Sequence, residues 1–129
     1  MQMRFDGKLG FPGGLIDPGE NVVTGLNREL LEEINLDLET HSIKREDFLF
    51  CHYISDNKDP KSSSRIRMFF AKEVTKTEFE LIEKRSLDAR EYGYEVCKTF
   101  LLKNKFESYW SNNLQFQSFV LAVKLNIFF

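Results

Sequence analysis

Three glutamates, Glu29, Glu32 and Glu33, stand on one short segment with apolar residues between and beside them. At about 100° per residue they span only about 100° of a helix surface, so their carboxylates can converge on one point. An acidic face in solvent normally carries lysine or arginine four residues away. Here Glu29 is spaced with Glu33 and Glu33 with Asp37, and only Glu32 has a basic neighbour, Arg28. Uncompensated like charges at that spacing cost roughly 0.2–0.5 kcal/mol each. A divalent cation reverses that penalty. An all-oxygen donor set suits Mg²⁺ or Mn²⁺, which in turn hold phosphate oxygens. On these residues alone, a metal site and a solvated acidic face both stay open.

The segment that carries them reads as a helix from about Val22 to Ile34, because apolar residues fall at 22, 23, 26, 30 and 34. Ahead of it, "MQMRF" alternates as a strand into an Asp6-Gly7 turn, and "KLGFPGG" reads as a short strand and a glycine loop. Residues 47–54 and 66–74 read as strands, and 55–65 has loop chemistry throughout, so the three together predict a long hairpin. The stretch 76–93 is helical in its first half and ends near Gly93, and 94–102 suggests a strand. The tail from about Asn113 reads as a buried helix or a strand, with helix favoured for its first part, because Phe116, Phe119, Val120 and Val123 fall at spacings of 3 and 4. Strands interleaved with two or three helices predict an α/β or α+β layered domain.

Composition sets the frame for that domain. With 129 residues, 42% hydrophobic and 29% charged, the chain suits one domain with a single core and is not a disordered sequence. A net charge of -2 gives bulk charge no role in nucleic-acid binding, which would need a local patch. No run reaches the roughly 18 apolar residues that suggest a membrane span. Cys51 and Cys97 lack metal or redox spacing and read as reduced, partly buried thiols. His41 is expected on a loop and His52 on a sheet face. The basic residues Lys58, Lys61, Arg65 and Arg67 in and beside the hairpin loop read either as a solvated tip or as contacts to RNA phosphates.

The acidic segment belongs to a longer pattern: Gly14, five residues, Glu20, seven residues, then Arg28-Glu29-Leu30-Leu31-Glu32-Glu33-Ile34-Asn35-Leu36. It resembles the Nudix box, G-x5-E-x7-R-E-U-x-E-E-x-G-U with U aliphatic, at every fixed position but one. Asn35 stands where the box has glycine. That glycine ends the helix, and asparagine is the next most tolerant residue in a left-handed cap. The resemblance implies a single Nudix hydrolase domain over 1–129, an α/β/α sandwich around a mixed sheet. It implies that Gly13, Glu29, Glu32 and Glu33 serve Mg²⁺ or Mn²⁺, with Glu32 and Glu33 catalytic. Glu20 and Arg28 would form the ion pair tying loop to helix, and Gly13 and Gly14 would let backbone approach the metal and the diphosphate. The reaction implied is hydrolysis of a nucleoside diphosphate linked to another group.

The flanks "MQMRFDGKLGFPGG", "GLNREL" and "REYGYEV" are similar to the branch of that family that decaps small nucleolar RNA and hydrolyses inosine diphosphates. The similarity is close from Met1 to about Val96 and weak beyond. It implies a nucleotide or capped RNA as substrate, Arg4 and Phe11 as nucleotide contacts and Glu95 as a late acidic group near the metals. It also implies a homodimer in nucleus and cytoplasm, with no membrane contact. Read without it, Arg4 is a solvated strand residue, Glu95 an exposed strand charge and Phe11 a core residue. Gln115 and Gln117 fall where the family offers a glutamine to substrate, without a fixed alignment. A related non-catalytic branch shares the opening stretch, binds RNA and protein, and has lost the box glutamates. An inactive binding module is therefore the alternative, and the three glutamates favour the enzyme. Relatives carry strands ahead of "MQMRF", so the resemblance implies a domain without its first strands, a fragment, an incomplete gene model or a short isoform; either the apolar "LNIFF" tail covers the exposed sheet edge or the protein is poorly stable.

Overall fold

The computed structural model describes residues 2–4, 7–55, 64–94, 96–99 and 119–128. Helix α1, Val22–Ile34, spans the predicted segment. It starts where Asn21 leaves the helix geometry and its side-chain oxygen accepts from the N–H groups of Val23 (3.0 Å) and Thr24 (3.5 Å). Leu26, Leu30 and Ile34, each four residues apart, are buried on one face. The helix ends at Asn35, at φ 49° and ψ 45°, the left-handed conformation that the box reserves for glycine. The Asn35 N–H donates to the Leu31 carbonyl (3.0 Å) and the Leu36 N–H to the Leu30 carbonyl (3.2 Å). Leu36 then drops into the core.

Two three-stranded sheets accompany the helices. In the first, β1 (Gln2–Arg4) lies between β2 (Leu9–Gly10) and β5 (Val96–Thr99), antiparallel to both. In the second, β4 (Arg65–Val74) lies between β3 (Phe48–Ile54) and β6 (Phe119–Phe128), again antiparallel to both. The hairpin of β3 and β4 is as predicted, and its tip at 56–63, with Lys58 and Lys61, lies outside the described residues. The helices and strands are those of a partial Nudix-like α/β fold. The only parallel pairing among the described residues is the bridge Leu15↔Asn126, which joins the glycine loop to β6. There the Asn126 N–H donates to the Gly14 carbonyl (2.8 Å) and the Ile16 N–H to the Asn126 carbonyl (3.1 Å).

The tail departs from expectation. Residues 119–128 form a strand, not a helix, and pair with β4 over its whole length. A short apolar run looks alike in both periods, and the partner decides between them. Leu121 and Val123, two apart, are both buried, as a strand with one core face requires. Phe116 lies outside the described residues.

One core joins these parts. Leu26, Leu30 and Ile34 pack with Phe70 and Val74 of β4, with Leu121 and Val123 of β6, and with Phe79 and Ile82 of α3 (Lys76–Arg85). Helix α3 begins with a capping box: the Glu78 N–H donates to Thr75 Oγ1 (3.3 Å) and the Thr75 N–H to Glu78 Oε2 (2.7 Å). Between α1 and β3 a one-turn helix, α2 (Leu38–His41), changes the expectation for His41. The ring is buried at the end of that turn, not on a loop, with Nε2 3.4 Å from Glu78 Oε1. Asn27 of α1 fixes the chain beyond it, donating to the Ile43 carbonyl (2.9 Å) and accepting from the Ile43 N–H (2.8 Å). Cys51 is exposed rather than partly buried, because both faces of β3 reach solvent at that point, and the Cys97 side chain is outside the description.

Asn35→Gly is expected to keep or raise stability, since glycine adopts the left-handed cap without strain. Asn35→Ala should cost about 1 kcal/mol. Urea denaturation of the two variants beside the parent checks the order.

Candidate active site

The glycine loop meets α1 through close contacts that larger residues would block. Gly13 sits at φ 114°, a conformation that side chains rarely adopt. Its N–H donates to Glu33 Oε2 at 2.7 Å, which fixes one buried carboxylate against the loop. A methyl group on Gly14 would overlap the carboxylate of Glu29. Two of the three box glutamates therefore lie directly on the loop backbone, although 15 or more residues separate them from it in sequence.

Arg28 gathers the remaining groups. Its Nε and Nη2 donate to the two oxygens of Glu20 at 3.2 and 3.1 Å, a forked pair between loop and helix. Nη2 also donates to the Leu15 carbonyl (3.1 Å), and Nη1 to Glu29 Oε1 (2.8 Å) and Glu32 Oε2 (3.2 Å). The sequence spacing pointed to Glu32 alone as a helical neighbour of Arg28. The structure adds Glu29 on the same guanidinium. A second cation was not foreseen: Arg90, exposed and 58 residues away, donates to Glu32 Oε1 at 3.2 Å. The Glu91 N–H anchors that segment by donating to the Glu32 carbonyl (3.1 Å). No local pattern announces such a contact.

The acidities follow from these neighbours. The Arg28 bond holds Glu20 below the usual carboxylate range. Glu20 and then Glu29 hold the Arg28 guanidinium above its ordinary value. Glu29 moves the other way: burial pushes it up, the Arg28 bond opposes, and the charge of Glu32 adds to the rise.

The three carboxylates, on one helix face, are divided among different partners. Among the described residues no three His, Cys, Asp or Glu side chains gather closely enough to hold an ion. Arg28 Nη1 bridges Glu29 and Glu32, while Glu33 turns to Gly13. The donor chemistry still fits Mg²⁺ or Mn²⁺: the three groups are hard oxygen ligands on one helix face, and Glu29 is a desolvated carboxylate whose ionised form lacks sufficient compensation. Glu29, Glu32 and Glu33 are the residues that would hold such an ion, after exchange of their arginine and backbone partners.

The other predicted contacts divide. Phe11 is 36% exposed, with its ring edge-on to Phe69 at a centroid distance of 6.1 Å, so it is not a core residue. Arg4 ends β1 opposite Val96, and its side chain is outside the description. Glu95, Gln115 and Gln117 lie outside the described residues. His52 stands exposed on the sheet face, as expected.

Residues 1–107 match the family described as Nudt16-like, U8 snoRNA-decapping enzyme-like. The chain is 48% identical over 100 residues to a U8 snoRNA-decapping enzyme of Homalodisca vitripennis, covering 77% of this chain and 50% of that protein. It is 36% identical over 97 residues to the U8 snoRNA-decapping enzyme of Mus musculus, covering 74% and 47%. A Tudor-interacting repair regulator protein of Gallus gallus is 35% identical over 97 residues, covering 74% and 28%. The chain belongs to the Nudt16-like, U8 snoRNA-decapping enzyme-like family, a member of the Nudix class close to those decapping enzymes. It spans about half the length of the decapping enzymes it matches.

The raised pKa of Glu29 gives a signed prediction. Its folded-state value lies above the unfolded one, so ionised Glu29 opposes folding once the pH exceeds the folded value, and the opposition vanishes below the ordinary carboxylate range. Glu29→Gln is expected to melt higher than the parent at pH 7 and level with it near the acid end. Thermal melts across that range check the crossing.

Proposed function

We propose that this chain is a metal-dependent Nudix hydrolase that cleaves a diphosphate bond at the capped end of an RNA. Nucleoside diphosphates of the inosine type would be its small substrates. The observation that carries the reading is the complete set of box glutamates on one face of α1, two of them seated on the Gly13–Gly14 backbone. The names of the decapping-enzyme relatives support the substrate class. In the same reading the cofactor is Mg²⁺ or Mn²⁺, the whole domain is an α/β/α sandwich, and the protein is a homodimer of nucleus and cytoplasm, as the family resemblance implies.

The ion's contribution would be to neutralise charge on the diphosphate and to acidify the attacking water. Arg28 keeps loop and helix at a fixed separation through Glu20 and the Leu15 carbonyl. In this reading Glu32 and Glu33 would take the proton of that water. Glu33 is the better fixed of the two, because Gly13 holds one of its oxygens. Phe11, exposed just ahead of the glycine loop, offers a ring face to a nucleobase, and Arg4 and Glu95 complete the proposed contacts.

Hydrolysis of cap-labelled RNA and of inosine diphosphate, with Mn²⁺ and then with EDTA, tests the reading. Turnover should require the metal, and Glu32→Gln or Glu33→Gln should each lower it by roughly 10²-fold or more. A folded sample that turns over neither substrate in Mn²⁺ sinks the enzyme and leaves an inactive binding module. Gly14→Ala probes the loop contact separately. Its methyl group displaces the far end of the Glu29 side chain, so turnover should fall while the melting temperature changes little.

A further inference from the structure

Among the described residues, one side of the second sheet carries a group of rings, and the core lies against the other side. Phe50 stacks on Phe69 across β3 and β4, with centroids 4.7 Å apart and planes inclined by 25°. His52 lies 5.2 Å from Phe50 and 5.9 Å from Phe69. Phe11 of the glycine loop closes the group against Phe69. Phe50 is 45% exposed, and His52 is exposed beside it. Strand register puts Arg67 opposite His52 and Arg65 opposite Ile54, on the side that carries the rings. The other side of β4 sends Phe70 and Val74 into the core.

This face runs on into the acidic site at two points. Phe11, edge-on to Phe69, stands two residues ahead of Gly13 in the chain. Asn126 accepts from Arg67 Nε at 3.3 Å and donates through its backbone to the Gly14 carbonyl. A strand lying across the rings would thus reach the glycine loop without leaving the surface.

We propose that Phe50, His52 and Phe69, with Arg65 and Arg67, form a platform for single-stranded RNA continuing from the end that the acidic site cleaves. Unpaired bases need π faces that tolerate any sequence, and their phosphates need cations beside those faces; this sheet surface presents both. A second copy of the chain would also cover the rings, but the two arginines on this side favour a polyanion as the occupant. The choice of RNA rests on the function proposed above.

The test uses the full chain and a fluorescent, uncapped single-stranded RNA with a 5′-hydroxyl, about 12 nucleotides long to match a surface of this size. Affinity is read by anisotropy in EDTA at low salt. Phe50→Leu, which keeps apolar bulk but removes the ring, should weaken binding about tenfold. Arg65→Gln should reduce the slope of log affinity against log salt by about 0.7. Circular dichroism confirms that both variants are folded. Parent-like affinity and slope in the two variants, or no binding by the parent, overturns the proposal. So does a parent that sediments as a self-associated species which Phe50→Leu returns to monomer with RNA affinity unaltered. The probe has no diphosphate to cut, so ring-dependent binding without hydrolysis of capped RNA removes the proposed activity and leaves the platform standing. Hydrolysis without ring-dependent binding does the reverse.

Discussion

The arrangement of the acidic site depends on one guanidinium. Arg28 meets Glu20, Glu29, Glu32 and the Leu15 carbonyl together, so it joins the glycine loop to α1 and decides where two of the three box carboxylates rest. A planar fork suits this task, since it serves several oxygens in fixed directions where an ammonium group acts as a point charge. The pairing has a second effect. One positive charge is shared among several carboxylates, so at Glu29 burial outweighs the Arg28 bond and the pKa rises. Loop anchoring and neutralisation of the box carboxylates therefore draw on the same residue, and any bound cation would have to compete with it.

Much of this was legible in the sequence because it is local. The span of α1, its buried stripe and its left-handed end at Asn35 all arise within a few residues, where spacing and cap chemistry are decisive. The pairing of Glu20 with Arg28 was available from the box pattern. The contacts that escaped are long-range. Arg90 reaches Glu32 across 58 residues, and nothing near either residue forecasts it. Helical spacing reveals only the Arg28–Glu32 neighbour, not Arg90 or the adjacent Arg28–Glu29 pair.

The tail shows the same limit in a different form. Phe119, Val120 and Val123 satisfy a helical spacing by coincidence, while the neighbouring β4 offers ten residues of antiparallel register. Tertiary pairing outweighs a weak local preference in so apolar a run. His41 was misplaced for a related reason: a one-turn helix is too short to leave a periodic signal, and burial of the ring depends on α3, far along the chain.

The bridge between Leu15 and Asn126 has a consequence in time. Gly14 and Asn126 are 112 residues apart, yet they hydrogen-bond. Helix α1 with its caps can form early from its own neighbours, but the loop facing it gains this support only when a strand from the other end of the chain has docked. Closing so large a loop is slow and comes late in folding. During synthesis, which proceeds from the N-terminus, the glutamates of the site emerge well before the strand that steadies their loop, so the loop gains its support only after that strand has docked.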